Sequence, residues 1–196
     1  MNKELEIRLK IMNIYKYLYL HRKLSSAEIL KLYIEYLKLS VCLGTNSPVF
    51  EENLKKYNHT NCYCYALGID YPRLFFERYL YAEIDSFYHE LGFISRCSKP
   101  YVISKKIENL YKDLETLNIR FYETDIDSQT KHDGYKIAFY NCDNSCDFHF
   151  FRQNIDGSWS EKQGYSSRFF KVSKLEPVVG NYKLVKTLEI VKPIIK

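Results

Sequence analysis

The sequence predicts an α+β fold in which helices come first and an antiparallel sheet follows. Two observations carry this. As far as about residue 117, apolar side chains recur at three- and four-residue spacing, the signature of helices with one buried face. Beyond about residue 119 the chain changes to short aromatic or β-branched runs separated by turn residues. Segregating the two element types along the chain argues for helices layered on an antiparallel sheet rather than for alternating βαβ units.

Residues 1–45 read as a helical pair. Ile7, Ile11, Ile14, Tyr15 and Leu18 share one helical face, and Ser25 followed by Glu28 has the form of a capping box opening a second helix. Ile29, Leu30, Tyr33, Tyr36, Leu37 and Val41 form that helix's apolar stripe. Gly44-Thr45-Asn46-Ser47-Pro48 breaks the pattern, so residues 1–45 are expected as an N-terminal helical extension and 46–196 as the main domain. A short helix is expected from Cys62 to Leu67, stopped by Gly68. A longer one is expected from Phe76 to Leu91, with Leu80, Ile84 and Phe87 inward and Gly92 ending it. Ser104 is placed to cap a further helix carrying Ile107, Leu110, Tyr111, Leu114 and Leu117. Strands are expected at 119–122, 135–140, 148–153, 158–160, 169–172 and 182–191.

The chain has 196 residues, the size of one domain. Its 46% hydrophobic content is enough for a core, and its 27% charged content is ordinary for a water-soluble globule. No stretch approaches the ~20 apolar residues needed to span a bilayer. Met1 to Lys10 alternates charge with apolar residues and lacks the apolar centre of a signal peptide. A cytoplasmic location is expected, with export left to a dedicated secretion system. The six cysteines do not make a disulfide scaffold at this length, so free thiols are expected. The net charge of +5 is matched by the segment from Ser166 onward, which carries seven Lys or Arg against two Glu. These cations are spread singly among apolar residues, which fits a solvated strand face and disfavours nucleic-acid binding, where cations cluster.

Two distant motifs carry chemistry. Asn61-Cys62-Tyr63-Cys64-Tyr65-Ala66-Leu67-Gly68 places a cysteine at the start of a helix, where the first backbone amides favour a thiolate. Asp147-Phe148-His149-Phe150-Phe151-Arg152-Gln153 places a histidine in an alternating strand, with His149 and Phe151 on one face and Phe148 and Phe150 on the other. Cys62 as nucleophile and His149 as general base form a dyad for acyl transfer. Glu161 follows His149 across a turn marked by Asn154 and Gly157, where a carboxylate orients an imidazole; Ser160 is the alternative third group. The backbone N–H of Cys62 is one oxyanion donor. Asn58, Thr60 and Asn61 are candidates for a second, or for the helix cap, and sequence does not rank them. Zinc is the rival reading: Cys62, Cys64, Cys142, Cys146 and His149 supply enough ligands, yet one residue between the first two is tighter than the usual two to four. The dyad reading needs no metal or cofactor.

With Lys136-Ile137-Ala138-Phe139-Tyr140 and Asp156-Gly157-Ser158-Trp159-Ser160, these motifs resemble a set of small papain-fold proteins of low-GC bacteria. Those proteins are similar in layout to NlpC-type cell-wall amidases and peptidases. The resemblance runs from Asn61 to Gly164 and leaves residues 1–45 outside it. It implies a papain-like fold and a cysteine hydrolase acting on a polypeptide or peptidoglycan-peptide amide, with Cys62 as nucleophile and His149 as base. Three departures stand out: Glu161 replaces the family's His, Cys64 a small residue, and Gln163 a Pro. The same dyad serves transfer to another acceptor as readily as hydrolysis. A catalytically silent interaction module, holding a protein partner through the N-terminal helices or the basic C-terminal strands, is the alternative.

Overall fold

A computed structural model describes residues 2–21, 23–44, 54–57, 60–70, 90–143, 145–164 and 166–191. It shows an α+β architecture of helices on an antiparallel sheet. Helix α1 (Lys3–Leu20) is capped by Asn2, whose Oδ1 accepts the Glu4 N–H at 2.9 Å. Helix α2 (Ser26–Gly44) opens with the expected capping box. Glu28 Oε2 accepts from the Ser25 backbone N–H at 2.9 Å, and the Glu28 N–H donates back to Ser25 Oγ at 3.3 Å. The two satisfy each other's otherwise orphaned donors.

Ile7, Ile14 and Leu18 of α1 and Tyr33, Tyr36, Leu37 and Val41 of α2 are buried in the same apolar core as the rest of the chain. The Tyr36 and Ser40 hydroxyls both donate to Asp70 Oδ1, at 2.5 and 2.7 Å. The core is therefore continuous across the division expected after residue 45; residues 45–53 themselves lie outside the described residues.

Helix α3 (Cys62–Leu67) is short, wholly buried and well terminated. Asn61 is its N-cap, accepting the Cys64 N–H at 3.0 Å. Gly68 closes it at φ 74°, a left-handed conformation that suits glycine, and the Ile69 N–H returns to the Cys64 carbonyl at 2.9 Å. The helix expected from Phe76 to Leu91 falls almost wholly on 71–89, outside the described residues.

Helix α4 (Ile103–Thr116) begins one residue before the cap expected at Ser104. Val102 is the N-cap and makes no side-chain cap bond, so Ser104 lies inside the first turn. The buried face of α4 also differs from the expected stripe. Lys106, Asn109 and Asp113 are buried beside Leu110 and Leu114, whereas Ile107 and Tyr111 are only partly covered. Each of these polar groups holds a neighbouring segment. Asp113 accepts from the Gly92 and Ser95 N–H groups, the Ser95 hydroxyl and Tyr63 OH, at 2.8, 2.7, 2.6 and 3.1 Å.

The seven strands are β1 (Phe121–Thr124), β2 (Gly134–Cys142), β3 (Phe148–Gln153), β4 (Trp159–Lys162), β5 (Phe169–Val172), β6 (Val178–Val179) and β7 (Tyr182–Val191). Their order is β1-β7-β2-β3-β4-β5, with β6 pairing β7, and each described pairing is antiparallel. The first strand starts two residues later than expected. Ile119 finishes the α4 terminus instead, donating to the Leu114 carbonyl at 2.9 Å past Asn118 at φ 58°. β6 has only two residues and was not anticipated.

Alternation along the strands sorts side chains between two cores. Ile137, Phe139, Phe148, Phe150, Leu188 and Ile190 join α1–α4, while Ala138, Tyr140, Phe151 and Trp159 meet Leu175 in a smaller cluster. A bulge between Phe139 and Tyr140 shifts the register of β2 against β7. No helix among the described residues is long and apolar enough to cross a membrane.

Candidate active site

The fold brings the two chemical motifs together. Cys62 is the first residue of α3 and is only 4% exposed. As the first helical residue its backbone N–H has no acceptor within the helix. Its side chain hydrogen-bonds the imidazole of His149 on β3. The ring's Nε2 is hydrogen-bonded to Glu161 Oε2 on β4. The β3–β4 register pairs Phe151 with Glu161, so the carboxylate lies diagonally across from His149 on the same sheet face. The ring is fixed laterally by Phe151, edge-on at 5.1 Å between centroids, and by Tyr182 at 5.8 Å.

The electrostatics follow from these partners. Burial acts to lower the basicity of His149. The hydrogen bonds and charges of Cys62 and Glu161 outweigh it and take its pKa up to about 10. At neutral pH the imidazole is therefore held as the cation between a sulfur and a carboxylate.

The other expected residues separate clearly. Ser160 is on the opposite face of β4 from Glu161 and does not reach His149. Its hydroxyl is taken by Tyr65 OH at 2.8 Å and Asn154 Oδ1 at 2.9 Å. Thr60 is not a donor toward Cys62, because its hydroxyl donates to the Tyr57 carbonyl at 2.9 Å. Asn61 is the helix cap and also lines the cleft. Asn58 lies outside the described residues. The zinc reading loses its geometry, since no group of three or more His, Cys, Asp or Glu among the described residues is arranged to hold a metal ion. Cys142 is buried and Cys146 exposed, and none of the six cysteines is in a disulfide.

Sequence reasoning missed several parts of the site. A cleft of about 530 Å³ opens over Cys62 and His149. Asp147 and Tyr182 form part of its wall, joined by a hydrogen bond of 2.5 Å from the phenol to the carboxylate. Asp147 was within reach of the strand alternation, two residues before His149, whereas nothing in the sequence marked Tyr182. Glu90 contributes a further carboxylate, paired with Lys99 at 2.8 Å. Among the described lining residues there is no Lys or Arg.

Lys162, next to Glu161, is fully buried on the other face of β4. Its ammonium donates to the Gly164 and Ser166 carbonyls at 2.7 and 2.6 Å and so shapes the turn at the cleft edge. Burial lowers its pKa to about 8, against the opposing influence of Cys62 and Cys64.

No protein-family model matches this chain, and no curated protein or solved structure matches it.

Proposed function

We propose that the protein is a cysteine-dependent hydrolase of the peptidase or amidase type, on a papain-like arrangement of a thiol helix against a histidine-bearing sheet. The observation that carries this reading is the uninterrupted chain Cys62–His149–Glu161, built from three separate elements. An imidazolium beside a thiol favours the ionised sulfur, the form that attacks. With Nε2 engaged by Glu161, Nδ1 is the nitrogen left for the sulfur.

In the first half-reaction Cys62 Sγ adds to the amide carbonyl carbon, and the oxyanion forms near the Cys62 backbone N–H. His149 then gives its proton to the departing amine as the C–N bond breaks, leaving a thioester. In the second, the neutral imidazole takes a proton from water, hydroxide adds to the thioester, and the acid leaves as Cys62 regains its starting state. Glu161 keeps the ring oriented and stabilises its charged form throughout. An acceptor amine in place of water would turn the same chemistry into transfer. The substrate class is an amide of a polypeptide or a peptidoglycan-type peptide.

The closest competitor is a catalytically silent interaction module. It is favoured by the 4% exposure of Cys62 and by the engagement of Thr60, which leaves the oxyanion site with fewer donors. Site-resolved alkylation decides between them. Chloroacetamide at about pH 6, well below the ordinary thiol pKa, is expected to modify Cys62 ahead of the exposed Cys146, with the preference lost in His149→Ala. Equal, slow labelling of all six cysteines overturns the hydrolase reading and supports the module.

A further inference from the structure

Lys106 lies in the middle of the buried face of α4 and is 2% exposed. Taking an ammonium out of water is costly, and burial lowers its pKa below the usual lysine range. A methionine of similar length would fill the same space without that penalty. What the ammonium adds is three directed donors at one point. Its Nζ donates to Asn141 Oδ1 at 2.6 Å, to the Cys146 carbonyl at 2.8 Å and to the Asp147 carbonyl at 3.2 Å. Asn141 is near the end of β2, Cys146 and Asp147 lie in the connection from β2 to β3, and Asp147 is two residues ahead of His149. The Asp147 carboxylate is anchored separately, by Tyr182 OH at 2.5 Å and by the Phe148 N–H at 2.8 Å.

We propose that Lys106, braced by Asn141, is a positioning residue: from α4 it fixes the entry to β3 and so sets where the His149 imidazole stands relative to the Cys62 thiol. The inference rests on the hydrolase reading for its chemical consequence, but the placement itself is independent of it. The connection is short and carries its own turn bonds, from the Cys142 N–H to the Asp147 carbonyl at 3.2 Å and from the Asp147 N–H to Ser145 Oγ at 3.1 Å. These hold the turn's shape without tying it to the helical layer. Lys106 supplies that tie. A misplacement of about 1 Å at a reacting group is enough to cost on the order of a hundredfold in rate, so anchoring the strand entry matters more than the stability it contributes.

Two quantities on the full chain test this. The first is the ring 15N and 1H NMR signals of His149 through its titration, with Cys62, Glu161, Asp147 and Tyr182 as the groups that face or flank it. The second is alkylation of Cys62 at about pH 6. Lys106→Met is expected to shift the His149 ring signals and to slow Cys62 alkylation about tenfold, an intermediate displacement on the scale above. Asn141→Ala, which keeps the ammonium but removes one acceptor, is expected to move both quantities the same way by a smaller factor. Should Lys106→Met not fold, Asn141→Ala carries the decision alone. Unchanged His149 signals in a folded variant overturn the positioning role. Wild-type Cys62 reacting no faster than Cys146 overturns the hydrolase reading instead, and the ring signals still decide the placement.

Discussion

Glu161 meets the Nε2 of His149 from the adjacent strand, one diagonal step away from the residue that pairs with it directly. That offset makes a strand-end carboxylate part of the candidate site instead of a solvated charge. Glu161→Ala is expected to slow Cys62 alkylation at about pH 6 by roughly tenfold, and His149→Ala by a hundredfold or more, within the range for positioned acid–base groups. Mass-spectrometric quantitation of the Cys62 peptide measures both. A Glu161→Ala effect that persists undiminished in a His149→Ala background would sink the idea that Glu161 acts through the imidazole.

The pH dependence of stability follows from the His149 shift. Its pKa is raised in the folded state to about 10. The native chain therefore binds the proton more tightly, and the contribution is full below the unfolded value of about 6.5 and lost as pH rises toward 10. Lys162 acts with the opposite sign, because its folded pKa is lowered to about 8 and stability is regained above that value. Between about pH 6.5 and 8 Lys162 keeps its proton in both states and adds little slope. There the stability of the wild type minus that of His149→Ala is expected to fall, by at most about 1.4 kcal/mol per pH unit. Denaturant titrations at several pH values check it, and a flat or rising difference contradicts the pairing.

Asp113 gathers four donors from α3 and from the segment that begins at Gly92. Asp113→Ala leaves those groups buried without their acceptor, for an expected loss of about 3–5 kcal/mol. Asp113→Asn keeps an acceptor oxygen and should lose less. Chemical unfolding followed by tyrosine fluorescence distinguishes the two, and similar midpoints would show that the carboxylate is not the organising group.

Lys162 is a cation close enough to Cys62 and Cys64 to feel their charge. Lys162→Met removes that charge and unpairs the Gly164 and Ser166 carbonyls. Cys62 alkylation at about pH 6 is expected to fall a few-fold, less than in His149→Ala, since a single neighbouring cation is a weaker influence than the proton acceptor itself. An unchanged rate assigns Lys162 to the turn alone.

Much of this was legible in the sequence where the physical signal was local. The Ser25–Glu28 box, the Asn61 and Gly68 boundaries of α3, and the strands carrying His149 and Tyr182 all follow from spacing and turn chemistry. The meeting of Cys62 with His149 was readable as two motifs, though nothing local joins them. What escaped was decided by tertiary contacts. Ser104 has the chemistry of a cap but sits inside the helix, and Thr60 has a hydroxyl that the Tyr57 carbonyl had already claimed. Lys106 and Asp113 look like a helix's wet face, and become interior only because loops bring backbone groups to them. Ser160 and Glu161 are neighbours in sequence and opposites in the sheet, and only the register tells them apart.

The grip of Tyr36 and Ser40 on Asp70 has a consequence for the architecture as a whole. A chain stripped of its first 45 residues would strand that carboxylate and lose one wall of the main core, uncovering its apolar floor to water. The first two helices are masonry rather than ornament, and a minimal version of this protein must begin with them.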